Sequence, residues 1–415
     1  MTDHTIDGTL GRALPVPLTR RQLTQWRNAV FLVFALCGLA ISTWLSRTPH
    51  VRDLLGASTA QMGWIVFGIA VGSIVGLLLS SQILARFGPR RTIAATLFGT
   101  AVGLVVAGVG ATVFGNAMVV ILGLIVFGAA NGACDVSMNV EGAANERALG
   151  RTVMPLFHAA FSGGTMAGAG LGALAEKFGV PVLVHVAIVG VVIVGGVLFA
   201  VTRLQPHQDR HDEDAAVPSN WRERMAIWRD RKTVLIGLIV LGMAFAEGSA
   251  NDWLALAMVD GHGVSNASGA LILGVFLTAM TVGRIAGVRV LDRYGRVPVL
   301  RATAALAAAG LLVVIVAPTP IAIAGVVLWG LGASLGFPVG MSAAADDPAT
   351  AGARVSAVAT IGYLAFLVGP PLLGFLGEHF GLLNALLVVV GLIVVAGLIS
   401  GGAREPQKTT APDPS

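Results

Sequence analysis

The stretch that decides the fold is "NAMVVILGLIVFGAANGACDVSMNVEG", residues 116–142. Its apolar part has about the 20 residues that an α-helix needs to cross the hydrocarbon core of a bilayer. Asp135, Asn139 and Glu141 lie towards its end. Because ionisable side chains are costly at membrane depth, we expect these polar residues to have a function or a specific partner.

The rest of the chain has the same membrane-spanning character. The 415 residues are 55% hydrophobic and 12% charged, whereas soluble domains are about 25% charged. Apolar runs of spanning length lie at roughly 27–46, 62–84, 93–113, 117–142, 153–175, 181–202, 233–257, 268–290, 298–317, 321–345, 355–377 and 382–402. The composition therefore predicts an all-α integral membrane protein with twelve transmembrane helices.

The positions of the basic residues predict the orientation of these helices. If both termini are cytoplasmic, 23 of the 27 lysines and arginines lie on the cytoplasmic side. This is the asymmetry of the positive-inside rule. The net charge of +5 therefore reflects topology and gives no reason to expect a nucleic-acid partner. We expect a multi-pass protein of a bacterial-type inner (cytoplasmic) membrane.

A charged segment divides the predicted spans into two sets of six. The expected organisation is a tail at 1–26, a six-helix bundle at 27–202, a linker at 203–232, a second six-helix bundle at 233–402 and a tail at 403–415. In the linker, Trp221, Met225 and Trp228 recur at helical spacing among arginines. This spacing favours an amphipathic helix on the inner membrane surface, and the alternative is a solvated linker with incidental aromatic residues.

Two matches between the halves indicate an internal repeat. "ARFGPRRTIAAT" at 85–96 corresponds to "DRYGRVPVLRAT" at 292–303, and "GALAEKFGV" at 172–180 corresponds to "GFLGEHFGL" at 374–382. Both matches occupy corresponding places in the two halves. Repeated bundles of this kind are common in transporters, so the repeat predicts two pseudo-symmetric six-helix bundles.

The loop in the second half, "GRIAGVRVLDRYGR" at 283–296, resembles the Gly-x-x-x-Asp-Arg-x-Gly-Arg hallmark of the major facilitator superfamily. The first half departs from that hallmark, with Ser81 at the glycine position and Ala85 at the acidic position. The resemblance implies the fold of this superfamily and a role in solute transport.

Further segments are similar to the MosC/YbjJ-like branch of the same superfamily. They are "SRTP" at 46–49, "NVEGAA" at 139–144, "AFAEGSANDW" at 244–253, "LWGLGASLGFP" at 328–338 and "GYLAFLVGPPLLG" at 362–374. More distantly, the fourth and tenth spans resemble the proton-coupled fucose permeases. That likeness implies a protonation site at Asp135 and a sugar contact at Asn139, although the first span lacks the acid that those permeases have.

The residues themselves also favour a proton-coupling role for Asp135 and His158. Asp135 and Asn139 are four residues apart and share one helical face. His158 enters the next helix from the same side and reaches a comparable depth. A carboxyl and an imidazole at such a position can share and pass a proton. The alternative is that these polar side chains only hold neighbouring helices together.

The seventh span offers a second polar face. Glu247 and Asn251 are also four residues apart, and with Asn139 they are predicted to bind a small polar ligand through its hydroxyl or amine groups. Trp329 and Tyr363 are candidates for stacking on a ring of that ligand, although most aromatic residues in membranes serve packing. Asp252, nearer the outer end, is interpreted as a hydrated residue without a binding role.

A set of charged residues is predicted to gate the inner side. Arg284 needs a counter-charge in the membrane. One interpretation places Asp135, His158 and Arg284 in one network, and the alternative is a purely structural ion pair. Glu141 is expected to pair with an inner-gate arginine. The predicted gating and charge network comprises Arg86, Arg90, Arg91, Glu141, Arg284, Asp292, Arg293 and Arg296.

Together these observations predict a secondary active transporter that works by alternating access. The expected cargo is a small polar solute, sugar-like or cyclitol-like, and the expected coupling ion is the proton. The alternatives are a proton-antiporting exporter of amphipathic compounds and a non-transporting membrane receptor. No phosphate loop, nucleophile arrangement or metal-ligand spacing is present in the sequence, so we expect neither an enzyme nor a cofactor. The expected partners are solute, protons and lipid, with the chain a monomer.

Overall fold

The computed structural model describes residues 18–150, 153–204, 227–347 and 350–405. These residues form helices and contain no β-strand. The outer parts of both tails and most of the predicted linker helix, including Trp221 and Met225, lie outside the described residues. Trp228 is described and is exposed.

The first half consists of a long first helix, a short surface helix and four further segments. They are α1 (Arg20–Leu45), α2 (Thr48–Leu55), α3 (Thr59–Val109), α4 (Ala117–Leu149), α5 (Met154–Lys177) and α6 (Val182–Val201). The second and third predicted spans are the two arms of α3. A kink separates the arms at Gly88, whose φ is 71°.

The second half contains four long helices and two interrupted ones. They are α7 (Arg231–His262), α8 (Asn266–Tyr294), α9 (Arg296–Val316), α10 (Thr319–Ala333), α11 (Gly336–Ala344), α12 (Ala351–Phe380), α13 (Leu382–Ala385) and α14 (Leu387–Leu398). The tenth predicted span is α10 and α11, with a break at Ser334 and Leu335. The twelfth is α13 and α14.

Eleven helices in the described part of the chain are long and apolar enough to cross a membrane. The fifth predicted span, α5, is not one of them, because its glycine, serine, threonine and histidine residues reduce its hydropathy. It is nevertheless a helix of 24 residues, about 36 Å long at the usual rise per residue. It packs against α1 and α8, so part of its polar surface is buried against neighbouring helices.

The repeated loops have the same backbone conformation in both halves. Gly88 has φ 71° and ψ 162°, and its counterpart Gly295 has φ 76° and ψ 171°. At the second repeat, Gly179 and Gly381 also have positive φ, 63° and 81°. Glycine adopts such angles without the steric cost that a Cβ brings. The repeated sequence therefore produces repeated turns.

Glycines on α5 allow a close approach to α1. A Cβ on Gly164 would overlap the carbonyl group of Ala35, and a Cβ on Gly168 would lie 2.8 Å from the carbonyl oxygen of Leu39. Small residues at such spacing let helix backbones pack against each other in membranes. The two helices are therefore held as one unit.

We expect Gly164→Val to force α1 and α5 apart and to destabilise the protein, since overpacking typically costs about 1–3 kcal/mol. Gly163→Val is the matched control, because it changes helix propensity equally but its Cβ has open space. Thermal unfolding of both variants in detergent checks this expectation. Equal midpoints for the two variants would contradict the close-packing argument.

Candidate functional site

The central feature of the second half is a charged contact between α7, α8 and the break in the tenth span. Nη2 of Arg284 donates to both carboxylate oxygens of Glu247, at 2.9 and 3.0 Å. Nε of Arg284 donates to the carbonyl oxygen of Ser334 at 3.3 Å. Irregular backbone at membrane depth requires such internal partners. Arg284 thus neutralises an acid and satisfies the helix break at the same time.

This contact corrects the expected partners of Arg284. Its counter-charge is Glu247, and the predicted network of Arg284 with Asp135 and His158 is not formed by hydrogen bonds in the described part of the chain. If Glu247 contacts a ligand, it does so while it is paired with Arg284. The reason is positional: α7 and α8 are consecutive helices that pack directly together.

Asp135 and Asn139 form a second polar group on α4. Nδ2 of Asn139 donates to the backbone oxygen of Asp135 at 2.8 Å and to its carboxylate at 3.4 Å. The Asp135 side chain is exposed although it belongs to a spanning helix. Its carboxylate lies within electrostatic range of Tyr363 of α12, in the opposite half. Asp135 therefore faces the seam between the halves.

His158 on α5 faces the same seam. Its ring lies edge-on to Phe34, 5.2 Å between ring centroids, and it is within electrostatic range of Arg284. Asp135 in turn is within electrostatic range of Cys37, one turn along α1 from Phe34. The two groups thus flank the same stretch of α1. We call this set the central polar site; it comprises Asp135, Asn139, His158, Glu247, Arg284 and Tyr363.

The other two predicted ligand contacts, Asn251 and Trp329, differ in their burial. Asn251 lies one turn beyond Glu247 and is half-buried. Trp329 is fully buried and packs edge-on against Phe276, with 5.3 Å between ring centroids. The structure therefore does not bring Trp329 to the seam, because its ring fills the space between α10 and α8.

Glu141 has a different partner from the expected arginine. Its carboxylate accepts a hydrogen bond of 2.6 Å from Nε1 of Trp26 on α1, and only 4% of the residue is exposed. The nearby Glu146 accepts hydrogen bonds from the backbone of Val153 and Met154 at the start of α5. Glu141 therefore joins α1 to α4 within the first half.

The predicted gate arginines lie at the same end of the bundle as both chain termini. Arg86 and Arg293 are exposed, each with its guanidinium 5.4 Å from the centroid of the next residue's aromatic ring. Arg296 forms an ion pair with Asp346 at 2.7 Å, inside the second half. The remaining members, Arg90, Arg91 and Asp292, lie at or near the surface.

The opposite end, which we call the α2 end, carries polar contacts between the halves. Arg52 of α2 forms an ion pair with Asp260 at the end of α7, and Asn266 of α8 donates to Asp53 at 3.1 Å. Partial burial alone would lower the pKa of Arg52, but its hydrogen bonds to Asp260 and Asp53 outweigh burial and raise that pKa. Sequence patterns do not indicate these pairs, because their members are over 200 residues apart.

The same end is closed by close contact of α3 with α12. Glu378 of α12 accepts a hydrogen bond of 3.2 Å from the backbone N–H of Ala60, in the first turn of α3. Such a carboxylate satisfies a donor that the helix itself leaves free. Below this contact, a Cβ on Gly374 would lie 3.0 Å from the Cα atom of Gly63. The seam is therefore tightly packed at the α2 end.

We expect the single variants Arg284→Gln and Glu247→Gln each to destabilise the protein, because each leaves a charge without its partner. The double variant should lose less than the sum of the two, with a coupling of about 0.5–3 kcal/mol. Arg289→Gln, an exposed position on the same helix, is the control. A double-mutant cycle of thermal unfolding checks this, and additive losses would contradict the pairing.

Comparison with known proteins identifies the class of this helical bundle. The family model for the Major Facilitator Superfamily matches residues 29–270 and 248–414, which together span most of the chain. The chain belongs to the Major Facilitator Superfamily. It is thus a multi-pass membrane transporter and not an enzyme.

Individual relatives agree with this class and with the MosC-like resemblance. The chain is 31% identical over 383 residues to an uncharacterized MFS-type transporter of Yersinia pestis, covering 90% of this chain and 94% of the relative. It is 29% identical over 377 residues to the membrane protein MosC of Rhizobium meliloti, covering 90% and 89%.

Solved structures share the fold at low sequence identity. A point mutant of the nucleoside transporter NupG has a TM-score of 0.75 at 15% identity, over 92% of this chain and 99% of that chain. An inward-facing, unoccupied bacterial homologue of the human lysosomal transporter Spinster has 0.72 at 14%, over 94% and 100%. The transporter FucP in its outward conformation has 0.64 at 17%, over 93% and 100%.

Proposed function

We propose that the protein moves a small polar, sugar-like or cyclitol-like solute by alternating access, coupled to protons through Asp135. The observation that carries this proposal is that Asp135 is exposed on a spanning helix and lies within electrostatic range of Tyr363 of the other half. Its carboxylate accepts a hydrogen bond from the amide of Asn139, which is neutral. A carboxyl at membrane depth with a neutral partner is suited to binding and releasing a proton.

Two of the other acids in the spanning helices, Glu247 and Glu141, are less suited to that role. Glu247 is held by Arg284 at 2.9 Å, and Glu141 is held by Trp26 within the first half. His158 faces the seam and lies within electrostatic range of Arg284. In the proposed cycle His158 passes a proton and Asp135 stores it.

Several neutral polar groups are available to bind hydroxyl groups of the solute. Asn139 and Asn251 offer amide donors and acceptors, and Tyr363 offers a phenol with a flat ring. In support, the solved structures with this fold include a nucleoside transporter, a fucose:proton symporter and a D-xylose-proton symporter. Each of those named solutes carries hydroxyl groups.

We assign the termini end to the cytoplasm, in a bacterial-type inner membrane, from the positive-inside asymmetry. The α2 end then faces outward. Its cross-seam contacts, Arg52 with Asp260 and Glu378 with Ala60, support an inward-facing state, because they close the outer side. The close backbone approach of α3 and α12 at the same end supports the same assignment.

We expect a bifunctional methanethiosulfonate reagent to cross-link the double variant Arg52→Cys, Asp260→Cys and to stop transport until the cross-link is reduced, because closure of the α2 end must be reversed in every cycle. The native Cys37 and Cys134 are buried and provide little background. Gel mobility with uptake assays checks this. Full transport in the cross-linked protein would contradict the assignment of this end as a gate.

We expect Asp135→Asn to abolish proton-driven uptake while retaining exchange of solute, because the amide cannot bind a proton but preserves the shape of the site. The solute is found first, by thermal stabilisation of the purified protein with monosaccharides and inositols. Uptake into vesicles with an imposed pH gradient then gives the readout. Asp212→Asn, in the linker sequence between the halves, is the matched control. Undiminished gradient-driven uptake in Asp135→Asn would refute the coupling role.

A further inference from the structure

A cavity of about 200 Å³ lies between α3, α7 and α12. We call it the Asp252 pocket. Its walls are mostly aliphatic and aromatic, and the side chains that give it chemical character are Ser73, Asp252, Tyr363 and Phe366. The sequence pattern alone assigns Asp252 no binding role. The structure instead places its carboxylate at a cavity between helices of opposite halves.

Asp252 differs from the other acids of the spanning helices in its partners. Glu247 is paired with Arg284, and Glu141 accepts a hydrogen bond from Trp26. Within residues 18–150, 153–204, 227–347 and 350–405, no hydrogen bond or ion pair to the Asp252 side chain is formed. A carboxylate against apolar walls is unfavourable without a partner. A cationic ligand in the pocket would supply that partner.

The walls restrict the chemistry of such a ligand. Tyr363 and Phe366 bring aromatic rings to the pocket, and aromatic faces attract organic cations. The aliphatic wall of α3, including Ile69 and Ile74, favours an apolar body. In size, an engineered cavity of about 150 Å³ holds a benzene molecule, so this pocket has room for about one ring with a small head group.

We propose that the Asp252 pocket binds a small organic ammonium ion whose apolar body is about one ring in size. The ammonium group pairs with Asp252, and the body lies between α3 and α12. The Asp252 pocket shares Tyr363 with the central polar site, but its proposed ligand class differs from the hydroxylated solute of that site. Because α3 and α12 belong to opposite halves, the bound cation stabilises the seam in its present orientation.

The experiment uses the purified full-length protein in detergent at neutral pH. Benzylammonium is the probe, benzyl alcohol tests the need for charge, and methylammonium tests the need for the apolar body. We expect benzylammonium to raise the unfolding temperature at the lowest concentration of the three. Stabilisation by benzyl alcohol at the same concentration would overturn the proposal.

Variants locate the binding site. We expect Asp252→Asn to weaken benzylammonium binding by about 30-fold or more, as for loss of a desolvated ion pair, and Asp212→Asn, a substitution of the same type in the linker sequence, to bind normally. Ala70→Val, which narrows the pocket but keeps the carboxylate, should also weaken binding and serves if Asp252→Asn fails to fold. Undiminished binding in either pocket variant would overturn the proposal.

This experiment measures binding alone and requires no transported solute. Its outcome is therefore independent of the Asp135→Asn uptake experiment. Loss of benzylammonium binding in Asp252→Asn would support the pocket, whatever the result for Asp135→Asn. Unchanged proton coupling in Asp135→Asn would refute the coupling proposal, whatever the result for Asp252→Asn.

Discussion

The second half of the protein depends on one requirement, that a guanidinium inside a bilayer must have partners. Arg284 meets it with the carboxylate of Glu247 and the carbonyl oxygen of Ser334. The guanidinium therefore neutralises the carboxylate on α7, holds α8 against α7, and donates a hydrogen bond to the backbone at the break between α10 and α11. Because this arrangement occupies Glu247, it leaves Asp135 and Asp252 as acids of the spanning helices without a cationic partner within the described residues. These two residues carry the proton-coupling and cation-binding proposals.

The sequence predicts the fold well because hydropathy follows directly from the bilayer. Run lengths locate the helices, and the repeat around Gly88 and Gly295 predicts equivalent turns that the structure contains. Partners were harder to predict. The match of Glu247 with Arg284 depends on how two helices are rotated about their axes, and burial of Trp329 depends on the same rotation. Run length and spacing carry no information on it.

The internal duplication also shows how equivalent residues acquire different partners. Glu176 ends α5, and it forms an ion pair with Arg47 at 2.9 Å within the first half. Its counterpart Glu378 ends α12, and it accepts from the N–H of Ala60 across the seam. A glutamate at the same repeat position thus has two different roles: Glu176 stabilises the first half internally, whereas Glu378 connects the two halves. Pseudo-symmetric sequence therefore does not imply symmetric contacts.

The ion pair between Arg52 and Asp260 lies near water, with side chains 18% and 32% exposed. Coulombic attraction between such groups is screened by dissolved ions over a Debye length of about 8 Å at physiological ionic strength. The apolar contact of Gly63 with Gly374 is not screened in this way. Part of the free energy that keeps this end shut therefore varies with the salinity of the medium, and under the proposed alternating access the balance between the two orientations varies with it.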